Sequence, residues 1–241
     1  MSSPLSFRVV GWAAWTPGRD SEAAWRTWAG APGVAAGGTA TASVPLALRR
    51  RLTPLGQAAM RCAWGLPDAA SARMVFASRN GEFARTLSIL DGIVSGDSVS
   101  PADFTLSVHH ALAGVLSIAQ GNRRGHTTVA AGPDSFGFGL LEAVASLAER
   151  PEEPVLLVYY DEPLPAPYAT FATCAEPLAL ALSLSLKRDG EALELLTARG
   201  SGDATMIAPF DFLRFLLSGD AQMLSRGERL DWHWRRHAAA A

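Results

Sequence analysis

Cysteine is scarce in this 241-residue chain: Cys62 and Cys174 are the only two, far apart and without CxxC spacing. That argues against a disulfide framework. The five histidines (His109, His110, His126, His233 and His237) form no HxxxH or HExxH pattern, so no metal site is expected and no cofactor is implied. An excess of one charge is lacking too. With 21 Lys and Arg against 23 Asp and Glu the formal net charge is −2, too small to draw in a polyanion, and nucleic acid is not an expected partner. The longest apolar stretches, residues 155–160 and 178–186, are far short of the roughly 20 residues that cross a bilayer, so no membrane span is expected. The N-terminus, Met1-Ser-Ser-Pro-Leu-Ser-Phe7, has no basic region followed by an apolar run; it does not read as a signal peptide, and a cytoplasmic location is expected.

What is present is a globular composition, 49% hydrophobic and 18% charged, of a size for one α/β domain with extensions. Residues 7–15 are apolar and β-prone and stop at Thr16-Pro17-Gly18. Trp25 and Trp28 mark a short amphipathic helix, and the Gly-, Ala- and Pro-rich stretch 29–44 reads as an exposed loop. After Arg49-Arg50-Arg51 comes a helix over 52–66, with Thr53 as N-cap and Pro54 in its first turn. A strand over 73–79 turns at Asn80-Gly81 into a helix over 82–94, followed by a helix over 107–120 that Gly121-Asn122 ends. A strand over 127–131, a helix over 135–150 and a strand over 154–160 complete an alternation that predicts a mostly parallel sheet with helices on both faces. Three prolines make 161–167 an extended connection, and the strict Leu/small alternation over 178–186 predicts a fifth strand that ends at Lys187-Arg-Asp-Gly190. Residues 210–217 read as an amphipathic helix. Residues 231–237 read as a basic, aromatic tail that packs Trp232 and Trp234 on the body.

The turn after the third strand reads Gly132-Pro133-Asp134-Ser135-Phe136-Gly137-Phe138-Gly139. Many enzymes place nucleophiles at such a point, because a helix start offers free N–H groups and a positive dipole end. A GxSxG elbow fails, since Pro133 stands where its first Gly must be. Helix capping is the ordinary role for Asp134 and Ser135. Gly137 and Gly139 each weaken a helix by on the order of 1 kcal/mol, which implies close approach by a neighbouring helix, a partner subunit or a substrate chain. Phe136 and Phe138 project on different faces, one toward the core and one toward a partner.

Three segments together, residues 107–121 (Ser-Val-His-His-Ala-Leu-Ala-Gly-Val-Leu-Ser-Ile-Ala-Gln-Gly), 127–132 (Thr-Thr-Val-Ala-Ala-Gly) and 139–144 (Gly-Leu-Leu-Glu-Ala-Val), resemble the N-terminal half of a β-ketoacyl synthase. The resemblance implies a thiolase-like half fold, a mostly parallel five-stranded mixed sheet, over residues 1–190. Residues 191–241 are then a C-terminal extension packed on it. Counting back from Glu142-Ala143 puts the family's nucleophilic Cys at Pro133, or one residue away at Gly132 or Asp134. None of these supplies a thiolate. The family's two catalytic histidines come from a C-terminal half for which the chain leaves no room, and His109 and His110 match no catalytic position, reading instead as solvent-facing or interface residues.

The chain therefore looks like the short chain-length-factor-like ketosynthase homologues of aryl-polyene and related pigment pathways. That resemblance implies a non-catalytic subunit that pairs with a full-length β-ketoacyl synthase, with an acyl carrier protein as a further partner. Phe104, Leu106, Val108, His109 and Leu112, with Phe136 and Phe138, are then candidates for the acyl tunnel or the interface; the alternative is that the apolar ones are core. Two other readings stay open: a serine-dependent hydrolase or acyltransferase using Ser135, and a homodimeric acyl-binding or scaffold protein that pairs the edge of strand 127–131 across a two-fold axis.

Overall fold

The structure is a computed structural model that describes residues 3–30, 43–166, 168–171, 174–202 and 208–236. Most of the loop expected at 29–44, and His237, lie outside these residues.

The chain opens with strand β1 (Leu5–Trp15), then helix α1 (Glu22–Trp28), which Ser21 caps by accepting the Ala24 N–H. A short α2 (Leu46–Arg49) precedes α3 (Pro54–Trp64), where Thr53 accepts the Gly56 N–H and Pro54 sits in the first turn, as its sequence predicts. Next come β2 (Arg73–Ala77) and α4 (Phe83–Ser95), closed by Gly96 at φ 79°. The single helix expected over 107–120 is two: α5 (Pro101–Ser107), capped by Ser100, and α6 (Ala111–Gln120), bent 100° from each other at Val108–His110. Strand β3 (His126–Val129) leads through a 3-10 turn (Gly132–Asp134) into α7 (Ser135–Glu149), followed by β4 (Val155–Asp161) and β5 (Leu178–Ser185). Residues 191–236 then supply β6 (Glu191–Arg199), α8 (Ala208–Ser218), β7 (Gln222–Ser225) and β8 (Leu230–Arg236).

The described strands form one mixed sheet in the order β3-β2-β4-β5-β1-β6-β8-β7, so the α/β class and the mixed sheet hold. The strand count and the parallel majority do not. There are eight strands rather than five, and only β2–β3 and β2–β4 pair in parallel. Parallel neighbours need a long crossover, usually a helix, which α4–α6 and α7 provide; the described residues of the 162–177 connection hold only a three-residue 3-10 turn, and β5 returns antiparallel. The expected tail is strand β8, whose alternation buries Trp232 and Trp234 and turns Asp231, His233 and Arg235 outward.

Two cores flank the sheet. On one face Met74, Phe76, Leu156 and Val158 meet α3 and α6; on the other Val75, Leu157 and the leucines of β5 meet α7 and α8. The small face of β5 lets α3 lie close, with Ala179 and Ala181 buried against it. A flat sheet would hold β3 and β8 about 29 Å apart at the usual strand spacing. Instead the sheet curls around α7, and Trp232 of β8 packs directly on Gly137 of that helix. Among the described residues no single helix is long and apolar enough to cross a membrane.

Candidate functional site

Gly132 adopts φ +62°, a left-handed conformation that lets the chain leave β3 and wind into the 3-10 turn. Pro133 follows and offers no nucleophilic atom. The cap expected of Asp134 and Ser135 is not what either side chain does, since α7 has no side-chain cap at its N-terminus. Ser135 is 1% exposed; its hydroxyl accepts the Ala131 N–H at 3.0 Å and donates to the Gly132 carbonyl at 2.7 Å, which ties the turn to itself. Asp134 is 2% exposed, and its carboxylate accepts the backbone N–H of Glu228 at 2.9 Å and of Arg229 at 2.7 Å. The acid thus caps a distant loop instead of its own helix, because the curled sheet brings the β7–β8 connection over the turn.

Neither a neighbouring helix, a second subunit nor a substrate is what Gly137 and Gly139 admit. A Cβ at Gly137 would lie 2.1 Å from the Trp232 ring, and one at Gly139 would lie 2.5 Å from Ala77 Cβ, so the chain's own β8 and β2 make both close approaches. Phe136 faces the core, edge-on to Tyr159 at 5.6 Å and tilted against Phe212. Phe138, expected to meet a partner if Phe136 did not, lies half-buried and edge-on to Trp232 at 5.3 Å.

The segment 104–112 does not act as one lining. Phe104 is 61% exposed and Val108 is exposed, whereas Leu106 and Leu112 are buried. His109 is half-buried, its Nε2 at 2.9 Å from the Ser78 carbonyl oxygen, and its own carbonyl accepts the Tyr160 hydroxyl at 3.3 Å. His110 is exposed and stacks on His126. Of the tunnel candidates only Leu106 lines the cavity between α3, α4 and α5, a space of about 880 Å3 bounded also by Leu52, Ile89 and Val99. Part of its polar wall is already committed: Arg85 donates to Glu82, to Asp103 and to the Arg51 carbonyl, and Glu82 accepts from Thr53.

Several of these residues gave no signal in the sequence. Asp161, at the end of β4, is buried and accepts from the Ser78 hydroxyl and the Arg79 and Asn80 amides; burial still raises its carboxyl above the ordinary 3.8. Burial, then the charges of Glu82 and Asp161, raise Glu162 in the same direction. Burial pushes the Cys62 thiol to about 12 and the Cys174 thiol to about 11, so neither is a thiolate at neutral pH. The carboxylate cluster joins the ends of β2 and β4, which only the sheet order brings together.

The chain matches the β-ketoacyl synthase N-terminal domain family over residues 25–235. No curated protein matches it in sequence. Among solved structures it resembles a chain of the ketosynthase (ApeO) in complex with its chain length factor (ApeC) from Xenorhabdus doucetiae, with a TM-score of 0.82 and 25% identity over 96% of this chain and 100% of that one. It shares its fold with the ishigamide ketosynthase/chain length factor, at a TM-score of 0.62 and 16% identity over 88% of this chain and 73% of that one. A further likeness is to AntDE:AntF, a type II PKS acyl-carrier protein in complex with its ketosynthase bound to the hexaketide; there the TM-score is 0.58 and the identity 14%, over 82% of this chain and 70% of that one. A family match that begins in α1, passes through the β3–α7 turn and ends within β8 leaves the lineage plain: the chain belongs to the β-ketoacyl synthase N-terminal domain family.

Proposed function

We propose that this protein is a non-catalytic, chain-length-factor-like subunit that pairs with an active β-ketoacyl synthase and helps shape its acyl tunnel. The pathway would be of the polyketide or fatty-acid type that makes aryl-polyene pigments. The observation that carries this reading is the commitment of the turn: Asp134 and Ser135 are buried, each side chain is bound to backbone, and Pro133 between Gly132 and Asp134 has no group to acylate. Likeness across the whole length of a chain from a ketosynthase and chain length factor complex supports the same role.

Two surfaces suit a partner. Strand β3 is the sheet's edge, with one side unpaired, and α6 packs beside it with Ile118 83% exposed. Nearby in sequence, α4 buries no residue fully and shows Leu90, Ile93 and Val94, while α5 shows Phe104. The Ser135 hydrolase reading loses its support, since that hydroxyl is buried and no imidazole is among its hydrogen-bond partners. Co-expression with the cognate full-length ketosynthase, followed by sizing and chain extension on an acyl carrier protein, tests the proposal. A stable heterodimer, with extension that depends on this subunit, is expected. Separate species at micromolar concentration, or a homodimer that leaves extension unchanged, would sink it.

A further inference from the structure

We infer that the cavity between α3, α4 and α5 is a binding site of this subunit's own for a single acyl chain with an anionic head, the tail lying on its apolar wall and the head on Arg50 and Arg51. The inference goes beyond the pairing proposed above and is tested without a ketosynthase.

The space, about 880 Å3, falls within the range of pockets that enclose small molecules. Leu52, Pro54, Ile89, Val99 and Leu106 give it a wall with no hydrogen-bonding side chain, which suits a hydrocarbon tail. Helix α4 buries no residue fully, so Ile89 stands half-covered in this wall, with apolar surface left to cover.

Arg50, Arg51 and Arg85 line the rest together with Asp97, Asp103 and Glu162, equal numbers of each sign, and the two signs differ in how far they are committed. Arg85 and Asp103 hold each other, and Arg85 also holds Glu82. Glu162 is turned inward, where burial and then the charges of Glu82 and Asp161 raise its carboxyl. Arg50 and Arg51 are exposed, and neither side chain makes an ion pair or a hydrogen bond among the described residues; the same is true of Arg49 beside them. The sequence around them supplies no counter-charge, since no Asp or Glu stands between Glu22 and Asp68. Three adjacent arginines are thus unanswered by the fold, and two of them border a space with an apolar wall. A guanidinium fork matches a carboxylate or a phosphate and binds either by charge-assisted hydrogen bonds, whereas a cationic head would be repelled.

The test is calorimetric titration of the purified subunit with decanoate, decyl phosphate, decanol and decyltrimethylammonium, each below its micellar concentration. Both anions should bind one to one, about tenfold or more tighter than the alcohol or the cation. Octanoate should bind more weakly than decanoate by about two- to fourfold for each methylene lost. Arg50→Ser/Arg51→Ser, at exposed positions, should weaken both anions about tenfold and leave decanol unchanged. Ile89→Trp should abolish binding of both anions by filling the tail's place, and Val99→Trp serves if that variant does not fold. Arg226→Ser, outside the cavity, should bind as wild type. A tighter carboxylate names a free fatty acid as the ligand, and a tighter phosphate names a phosphate-linked acyl chain; either supports the site. No binding, equal binding of anion and cation, or binding that survives both the arginine and the tryptophan variants overturns the inference, and none of these results bears on whether the subunit pairs with a ketosynthase.

Discussion

The Arg229 backbone N–H donates to the Asp134 carboxylate over 2.7 Å, although the strands they adjoin, β8 and β3, stand six places apart in the sheet. The bond exists because the sheet wraps α7, with Gly137 giving up its side chain to let the Trp232 indole through. At the turn between β3 and α7 this chain has a clasp between distant parts of its own fold.

Removing the clasp should be costly. Asp134→Ala leaves two partly buried amides without an acceptor, a loss of about 3 kcal/mol for charge-assisted bonds of this kind. Urea unfolding should show a lower midpoint, with Asp134→Asn in between because its amide oxygen retains one acceptor. A midpoint unchanged in Asp134→Ala would show that the clasp does not hold the fold.

The approach of β8 to α7 makes a second forecast. Gly137→Ala should destabilise by about 2 kcal/mol or more, since the new methyl and the buried indole occupy the same space. In Gly137→Ala/Trp232→Ala the two effects should not add, because the second change removes the obstacle the first one meets. Thermal melts of the four proteins in that cycle give the coupling directly, and simple additivity would mean that the indole moves aside freely.

The nucleophilic side chains should be quiet. A thiol pushed to about 11 is ionised in roughly one molecule in a thousand at pH 8, so Cys174 should alkylate slowly there and faster as pH rises toward 11. Buried Cys62 should react only after denaturation, and a serine-directed fluorophosphonate should leave Ser135 unmodified. Rapid labelling of any of these in the folded protein contradicts the structure.

Glu162 sets a pH dependence whose sign follows first from its burial and then from the charges of Glu82 and Asp161. Its carboxyl is raised above the ordinary 4.5, so the folded state holds the proton more tightly than the unfolded chain. Its contribution to stability is therefore most favourable in acid and declines as pH rises from about 4.5 through the raised value. Glu162→Gln should flatten this part of the stability profile and raise stability near pH 7. A variant with the same slope as wild type assigns the dependence elsewhere.

The cavity gives a product-length prediction. Leu106 lines it together with Ile89 and Val99, so Leu106→Phe or Ile89→Phe should narrow it. In reconstituted extension, either change should shift products toward shorter chains at similar heterodimer yield, read by mass spectrometry. Unchanged lengths would place the end of the tunnel outside this cavity.

The first half of the fold was largely legible in the sequence. Thr53-Pro54 and Gly121 announced their helix ends, and the Leu/small alternation announced β5, because these signals are local. The β6 and β8 strands were harder to see, as their charged outward residues dilute the pattern that Leu193, Leu195, Trp232 and Trp234 carry. The absence of a thiolate at the turn was readable from Pro133, but the destination of Asp134 was not. A carboxylate two residues past a left-handed glycine reads as a cap in any local view, and only the curl of the sheet supplies the amides it serves. The same holds for Gly137, whose neighbour lies 95 residues downstream at Trp232.

The wrap of the sheet around α7 also dictates an order of events during synthesis. The core on that face needs Trp232 and Trp234, so a nascent chain can form β1–β5 and the α3 side of the sheet while the α7 side still exposes Phe136, Leu140 and Phe212. That side closes only when residue 236 has emerged. Until then the half-built protein presents an apolar trough to the ribosome's surroundings, and a chaperone or a waiting partner subunit has its best opportunity to engage it.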